Sequence, residues 1–290
     1  MSGRLVILAG GVSSRMKRSA QTARHADPRL RDEAARRAKS MIGVGSGDRP
    51  LMDYLLYNAR ESGYRDVTIV VGPDDREIRE SYGSRDQGNA IAGLTISFAV
   101  QPVPPGRERP LGTADALHHG LRARPDWRGG KFCVCNSDNL YSRTALRLLC
   151  DTPHPAAMID YDRSALQFDQ ARIEKFAVIR KDGEGYLRAI IEKPAPAEVA
   201  AAADAAGRVG VSMNIFVFSY DTILPVLEQT PLHPSRQEKE IPTAVTMLVE
   251  RDPHAMITIP LAEHVPDLTH VDDIAAMREY LLREFPRFSF

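Results

Sequence analysis

A short glycine-containing turn near the start of the chain has the composition of a polyphosphate-binding loop. Ala9-Gly10-Gly11 follows an apolar run, Leu5 to Leu8, that predicts a buried strand. Glycine lets the backbone bend sharply and turn several N–H groups toward one ligand, while Arg15 and Lys17 would neutralise phosphate charge. The alternative is an ordinary strand-to-helix turn with two solvated cations. The turn is not a Walker loop, because no Gly-Lys-Ser/Thr closes it.

A second candidate is a carboxylate that comes directly after a buried run. Lys131 to Cys135 predicts a strand, and Asn136-Ser137-Asp138 follows it. A carboxylate at that position cannot belong to the core. Its best partner is a hard cation such as Mg²⁺, which takes few protein carboxylates and fills its octahedron with phosphate oxygens and water. The competing interpretation is that Asp138 caps a helix that starts near Ser142.

Further polar groups stand at the ends of predicted elements. Gln101 ends the alternating run Leu94 to Val100, Gly112-Thr113 precedes a predicted helix, and Glu192-Lys193 ends an apolar run. Gly112 would let the backbone approach a planar ligand, although Thr113 could simply be a helix N-cap. A Glu-Lys pair at a strand end is, on its own, usually a surface feature.

Predicted strands and helices alternate through the first half of the chain. One example is the β-branched run Val67–Val71, which is typical of a strand buried on both faces. This order predicts an open, mostly parallel sheet covered by helices on both faces. Ligands bind such sheets outside the carboxyl ends of the strands, where Gly11, Gln101 and Asp138 would meet. After residue 150, short runs and a hairpin turn at Lys181–Gly185 predict a smaller mixed β extension.

A basic segment separates the turn from the next helix. From Arg15 to Lys39 there are nine Lys or Arg residues and three acids. The segment predicts one or two short helices, with Asp27-Pro28 as a helix start. We interpret most of these arginines as a solvated surface, with Lys39 as the exception.

Composition excludes several function classes. The 290 residues contain 38 Lys or Arg and 38 Asp or Glu, so no overall charge favours nucleic acid or a membrane surface. No apolar run reaches the roughly 18 residues of a membrane span. Cys133, Cys135 and Cys150 show no metal-ligand spacing and predict free thiols, which suits a cytoplasmic protein. The sequence does not fix an oligomeric state, and a homo-oligomer is compatible with it.

Taken together, the motifs occur in the order found in one enzyme family. They resemble the sugar-1-phosphate nucleotidyltransferases (NDP-sugar pyrophosphorylases) at Leu8 to Met16, Gly112 to Ala116, Asn136 to Asp138 and Glu192 to Pro194. Gly-Thr-Ala-Asp-Ala closely resembles the version in ADP-glucose pyrophosphorylases. Three glycines of the family's motifs are replaced here, by Ser13, Ser137 and Asn214.

The resemblance implies a role for each candidate. It implies that Arg15 and Lys39 hold the β- and γ-phosphates and that Asp138 and Asp267 bind Mg²⁺. Thr269 would cap the last helix. The implied nucleotide-binding residues are Ala9, Gly10, Gly11, Gln101, Gly112 and Thr113. The implied sugar-phosphate-binding residues are Glu192, Lys193, Ser212 and Asn214.

The implied reaction joins an NTP and a sugar-1-phosphate to give an NDP-sugar and pyrophosphate. The resemblance implies one Rossmann-like α/β domain over residues 1–290, with a nucleotide half (about 1–150), a sugar-phosphate half (about 151–290) and no C-terminal β-helix module. Two alternatives stay open: an NDP-sugar-using glycosyltransferase of similar sheet type, and a degenerate regulatory protein that only binds sugar nucleotides. The base is also open, because Gln101 could pair with adenine, uracil or thymine.

Overall fold

The computed structural model of the protein describes residues 3–11, 13–22 and 28–290, so that Val12 of the turn and Asp27 of the predicted helix start lie outside it. The strands are β1 (Gly3–Leu8), β2 (Tyr64–Val71), β3 (Asn89–Ile91), β4 (Leu94–Val100), β5 (Lys131–Asn136), β6 (Ala157–Asp162), β7 (Val178–Lys181), β8 (Leu187–Ile191), β9 (Gly210–Val211), β10 (Ile215–Ser219) and β11 (Ile257–Leu261). The helices are α1 (Ser14–Thr22), α2 (Pro28–Arg36), α3 (Leu51–Glu61), α4 (Arg76–Tyr82), α5 (Thr113–Arg122), α6 (Arg143–Asp151), α7 (Gln170–Ile173), α8 (Pro196–Ala201), α9 (Tyr220–Gln229), α10 (Ile241–Arg251) and α11 (Asp273–Glu284). None of the described helices combines the length and the apolar character that a membrane crossing requires.

The described strands form one mixed sheet in the order β3-β4-β2-β1-β5-β10-β6-β9-β7-β8, with β11 paired to β6. Its core, β4-β2-β1-β5, is parallel throughout. β10 runs antiparallel to both β5 and β6, and the β7–β8 hairpin is also antiparallel. The prediction of a mostly parallel sheet with a mixed extension after residue 150 is therefore confirmed.

Alternate residues of β1 face two different hydrophobic cores. Leu5 and Ile7 pack in one core with side chains of α3 and α6. Val6 and Leu8 pack in the other, with side chains of α5 and α9. Successive side chains of a strand point to opposite faces, so a strand covered by helices on both sides needs an uninterrupted apolar run. The predicted helices on both faces of the sheet are confirmed.

Backbone hydrogen bonds hold the carboxyl ends of the parallel strands together. Gln101 N, after β4, donates to Val71 O at 2.9 Å. Ser137 N, after β5, donates to Leu8 O at 3.2 Å. The turn after β1, Gln101 and the loop after β5 consequently lie along one edge of the sheet.

Three regions differ from the sequence pattern. The run Val211–Phe218 predicts one strand, but it divides into β9 and β10, and between them Asn214 has a φ of +55°, outside strand geometry. The pattern also does not predict α7, which has four residues, or α9, which contains Pro225 in its interior. Short length and an interior proline both weaken the helical signal.

Candidate functional site

The loops at the carboxyl ends of β1, β4 and β5 enclose a first cavity of about 310 Å³. Arg109 and Glu238 line it without having been predicted. The cavity also brings together all the residues predicted for the nucleotide and its phosphates: Ala9, Gly10, Gly11, Arg15, Lys39, Gln101, Gly112, Thr113 and Asp138.

Asp138 is paired with Lys39 inside this cavity. Lys39 Nζ donates to Asp138 Oδ2 at 2.9 Å, with 10% and 24% of the two side chains exposed. Asp138 does not cap α6, because Ser142 is the N-cap residue and its hydroxyl accepts from Ala145 N at 3.0 Å. The capping interpretation of Asp138 is wrong, and its carboxylate is available to a ligand or a metal.

Asp267 lies close to Asp138 because their segments pair through the backbone. Leu268 N donates to the carbonyl oxygen of Asp138 at 2.8 Å. Burial, and then the nearby Asp138 carboxylate, raise the pKa of Asp267, while Arg172 and Thr269 act in the opposite direction. The two carboxylates are therefore near enough to repel each other, as expected for a shared cation site.

Thr269 supports Asp267 instead of capping the last helix. Its hydroxyl donates to Asp267 Oδ2 at 2.9 Å. The N-cap residue of α11 is Asp272, which makes no side-chain cap bond. Asp273 accepts from Thr269 N at 2.7 Å. The predicted cap role of Thr269 is wrong, because α11 begins only at Asp273 and Thr269 lies before its N-cap residue.

The Asp138–Asp267 pair fits a magnesium ion that is completed by ligand oxygens. Oδ2 of Asp138 binds Lys39 and Oδ2 of Asp267 binds Arg172. Oδ1 of Asp267 is contacted by the Thr269 hydroxyl at 3.1 Å, and a carboxylate oxygen with one such donor keeps capacity for a metal, as does Oδ1 of Asp138. Within the described ranges, no group of three or more His, Cys, Asp or Glu could hold a metal ion. Two protein carboxylates suit Mg²⁺, which fills its remaining positions with phosphate oxygens and water.

Arg172 is a site residue that sequence reasoning missed. Its guanidinium bonds Asp267 Oδ2 and Asp273 Oδ1, each at 2.5 Å, and lies 4.3 Å from the centre of the Phe168 ring. These contacts fix a cation beside the carboxylate pair. The sequence offers no signal for it, because Arg172 stands in a four-residue helix and its partners are about a hundred residues away along the chain.

A second cavity, of about 530 Å³, adjoins the first. Arg15, Asn136 and Asp138 line both cavities. Lys39 lines only the first and Lys193 only the second, so Asp138 lies where the two spaces meet and Asp267 lies on the side of the second. The second cavity contains all the remaining predicted residues: Glu192, Lys193, Ser212, Asn214 and Asp267.

Charge in the second cavity is partly neutralised by the protein itself. Arg236 Nη2 donates to Glu192 Oε2 at 2.5 Å and also to Glu240. Lys175 and Lys193 line the cavity and form no ion pair with any described residue. Arg236 and Lys175 were not predicted. Arg236 is 44 residues from Glu192 along the chain, so their contact forms only in the folded protein. Besides Arg15 and the paired Arg172, the space therefore offers two lysines and one shared guanidinium to an anion. Six carboxylates line the same space: Asp138, Asp169, Glu192, Asp267, Asp272 and Asp273.

The loop before α5 is shaped by a glycine and docked on the segment before α10. Gly112 is the N-cap residue, with φ +103°, and a Cβ there would lie 2.6 Å from Lys239 O. Thr113 does not cap the helix, because its hydroxyl accepts from Ile241 N at 3.1 Å. The capping interpretation of Thr113 is wrong. Gln101 also binds this loop, donating to Gly112 O at 2.9 Å.

Solved structures share this fold. A UDP-glucose pyrophosphorylase in complex with UDP-glucose aligns with a TM-score of 0.67 and 16% identity, covering 98% of this chain and 100% of that one. A UTP-bound UGPase from Acinetobacter baumannii aligns with a TM-score of 0.69 and 17% identity, covering 99% and 95%. At these identities the likeness concerns the fold alone.

Sequence comparison is more specific. The glucose-1-phosphate adenylyltransferase of Koribacter versatilis (strain Ellin345) is 25% identical over 230 residues, which are 77% of this chain and 49% of that protein. The chloroplastic/amyloplastic small subunit of the same enzyme from Triticum aestivum is 25% identical over 173 residues, 58% and 36% of the two chains. The chain thus spans about half the length, or less, of these relatives. The family model for nucleotidyl transferases matches residues 27–264, which begin after the glycine turn and end before Asp267. By this match over most of its length, the chain belongs to the nucleotidyl transferase family.

Proposed function

We propose that the protein joins an NTP and a sugar-1-phosphate to give an NDP-sugar and pyrophosphate. The observation that supports this best is the junction of the two cavities, which share Arg15, Asn136 and Asp138. A nucleotidyl transfer needs two polyanions side by side with a cation site between them. Asp138 lines both cavities and Asp267 lines the second, so this pair would supply that cation site.

The first cavity suits the triphosphate. Backbone N–H groups of the turn after β1, the exposed Arg15 and the Lys39 ammonium surround one space. Lys39 is already paired with Asp138 at 2.9 Å, so it can orient that carboxylate while it contacts a phosphate. Dense N–H donors and two cations would neutralise the β- and γ-phosphates.

The second cavity suits the sugar phosphate. Lys193 and Lys175 are cations without an ion-pair partner among the described residues, and either could bind the phosphate. Glu192 keeps one carboxylate oxygen beyond the one bound by Arg236, and this oxygen could accept from sugar hydroxyls. Ser212 and Asn214 add neutral polar groups to the same wall.

The chemistry then depends on position and charge. A phosphate oxygen of the acceptor is already an anion, so it attacks the α-phosphorus in line without a general base, and pyrophosphate leaves on the opposite side. Asp138 and Asp267 would hold Mg²⁺, which supplies positive charge at the α-phosphate when bound. Arg15 and Lys39 hold the leaving pyrophosphate, and Lys193 holds the nucleophile.

This proposal also divides the chain between its substrates. The first cavity is lined by residues before 151, with Glu238 as the exception, and the second is lined largely by residues after 151. We therefore propose one catalytic domain with a nucleotide half and a sugar-phosphate half. We also propose that the enzyme acts in the cytoplasm, as its free cysteines suggest.

Exchange of labelled pyrophosphate into NTP tests the reaction directly. The panel pairs ATP or UTP with glucose-1-phosphate and Mg²⁺, because the named relatives use or bind these nucleotide classes. We expect exchange with at least one NTP that requires the sugar phosphate. Asp126→Asn, outside both cavities, should behave like the wild type and serves as the control. Sugar transfer from NDP-sugar without exchange would indicate the glycosyltransferase, and binding without any turnover would indicate the regulatory protein.

A further inference from the structure

Gln101 is held in one orientation by two acceptors. Its Nε2 donates to Gly112 O at 2.9 Å and to Asp115 Oδ2 at 2.8 Å. Both partners can only accept hydrogen bonds, so the position of the amide nitrogen is determined by chemistry. Only 2% of Gln101 is exposed, and it lines the first cavity. With both N–H groups engaged, Oε1 is the side-chain group that remains for a ligand.

Asp115 is the stronger of the two restraints. It is buried in the first turn of α5, and its other oxygen lies 3.9 Å from His119 Nε2. Burial lowers the pKa of His119, so the imidazole is neutral near pH 7 and does not balance the carboxylate charge. A rotation of the Gln101 amide by 180° would place its oxygen against a carboxylate and a carbonyl. This arrangement is strongly unfavourable, because three hydrogen-bond acceptors would face one another in a buried site without a donor.

Asp115 itself is absent from the lining of the first cavity. Any influence on a nucleotide must therefore pass through Gln101. An acid in the first turn of a helix also stabilises the helix dipole, which is the purely structural role for this residue. The bond to Gln101 adds a second role, because a charged acceptor sets the polarity of the group that faces the cavity.

We propose that Asp115 is a positioning residue that fixes Gln101 as a hydrogen-bond acceptor, so that the enzyme selects a nucleobase presenting an N–H group at this point. The inference rests on the proposed function, since it takes the first cavity as the nucleotide site. In base recognition, Gln101 Oε1 would accept a hydrogen bond from an exocyclic amine or a ring imino group of the base.

Binding of matched nucleotide pairs tests the proposal. ATP is compared with purine riboside triphosphate, which lacks the amine, and UTP with N3-methyl-UTP, which lacks the imino hydrogen. Dissociation constants are measured by calorimetry for the wild type, Asp115→Ala and Asp115→Asn. Glu228→Gln is the control. Glu228, on α9, pairs with His118, which lies on α5 together with Asp115, and Glu228 is absent from the lining of both cavities.

We expect the wild type to bind one parent nucleotide at least tenfold more tightly than its partner lacking the donor. Asp115→Ala should reduce this ratio to within threefold by weakening the parent nucleotide alone. Asp115→Asn should give an intermediate ratio, because its amide permits both orientations of Gln101. Glu228→Gln should keep the wild-type ratio, and inorganic tripolyphosphate should bind all four proteins equally.

Equal weakening of both nucleotides of a pair by Asp115→Ala would show a structural role only and would overturn the proposal. An unchanged ratio in both Asp115 variants would overturn it as well. Failure of the proposed reaction is seen separately, as nucleotide binding by the wild type without pyrophosphate exchange.

Discussion

Removing the Arg172 guanidinium is the perturbation that tests the carboxylate pair most directly. Arg172 holds Asp267 and Asp273 at 2.5 Å each. The exposed fractions of the three side chains are only 18%, 11% and 15%. Arg172→Gln retains hydrogen-bonding capacity but removes the charge. Two largely buried carboxylates then remain without their cation, with Asp138 close by.

The cost follows from this burial. Breaking a buried ion pair by removing one partner costs about 3–5 kcal/mol, and the residual exposure here places the loss near 3 kcal/mol. For a chain of this size, about 3 kcal/mol lowers the thermal midpoint by roughly 5 °C. The pKa of Asp267, already raised by burial and by Asp138, rises further without the guanidinium. A raised folded-state pKa lowers stability as pH rises through it, so the deficit shrinks as pH falls through the raised pKa of Asp267.

Differential scanning calorimetry of wild type and variant, with and without Mg²⁺, measures the effect. We expect Mg²⁺ to stabilise Arg172→Gln more than the wild type, since a metal can replace the missing positive charge. Arg180→Gln is the control, because Arg180 is exposed on β7 and forms no ion pair with any described residue. A deficit below about 1 kcal/mol, or equal stabilisation of both proteins by Mg²⁺, would refute the reasoning.

Three other predictions concern the same cleft. Asp138→Asn should lower pyrophosphate exchange by a factor of about 10² to 10³, the usual effect of losing one electrostatic contact at the transition state; exchange within tenfold of wild type contradicts this role. Because the pKa of Asp267 is raised, Mn²⁺ affinity measured by calorimetry should begin to weaken, as pH falls, at a higher pH than for an ordinary Asp carboxylate, and a pH-independent affinity contradicts the metal assignment. Gly112→Ala should destabilise the fold by more than the roughly 1–2 kcal/mol of backbone strain alone and raise the KM for NTP more than that for sugar phosphate, because the new Cβ also meets the backbone oxygen of Lys239 at 2.6 Å. Equal changes in both KM values would show that this loop does not serve the nucleotide.

The sequence was sufficient to predict the parallel core because its signal is local. The run Val67–Val71 is β-branched throughout, and a strand covered on both faces requires nothing else. The same reasoning fails at Val211–Phe218. There the run is apolar enough for one strand, but the left-handed backbone at Asn214 divides it. Such a conformation is set by tertiary contacts, which an apolar pattern does not contain.

The same distinction applies to the residues of the candidate site. Gln101 and Asp138 were found because the ends of parallel strands converge, a rule that needs only strand positions. Arg172 and Arg236 were missed, because each is recognised only by its ion pair with a carboxylate on a segment distant in the sequence. The wrong N-cap interpretation of Thr113 has the same origin. A threonine at a helix start is a plausible cap in the sequence, but in the folded chain the Thr113 hydroxyl accepts from Ile241 N.

Two glycines of the family's motifs are replaced here by residues whose backbone keeps a positive φ. Ser13 and Asn214 stand where the resembling family has glycine, and both have positive φ, at +53° and +55°. A non-glycine residue there costs about 1–2 kcal/mol, less for asparagine, so the surrounding structure must enforce the conformation. Ser13 lines the first cavity and Asn214 the second. At two of the three replaced positions the glycine-like backbone is thus retained while the cavity gains a polar side chain, and we expect the ligand preference to change there.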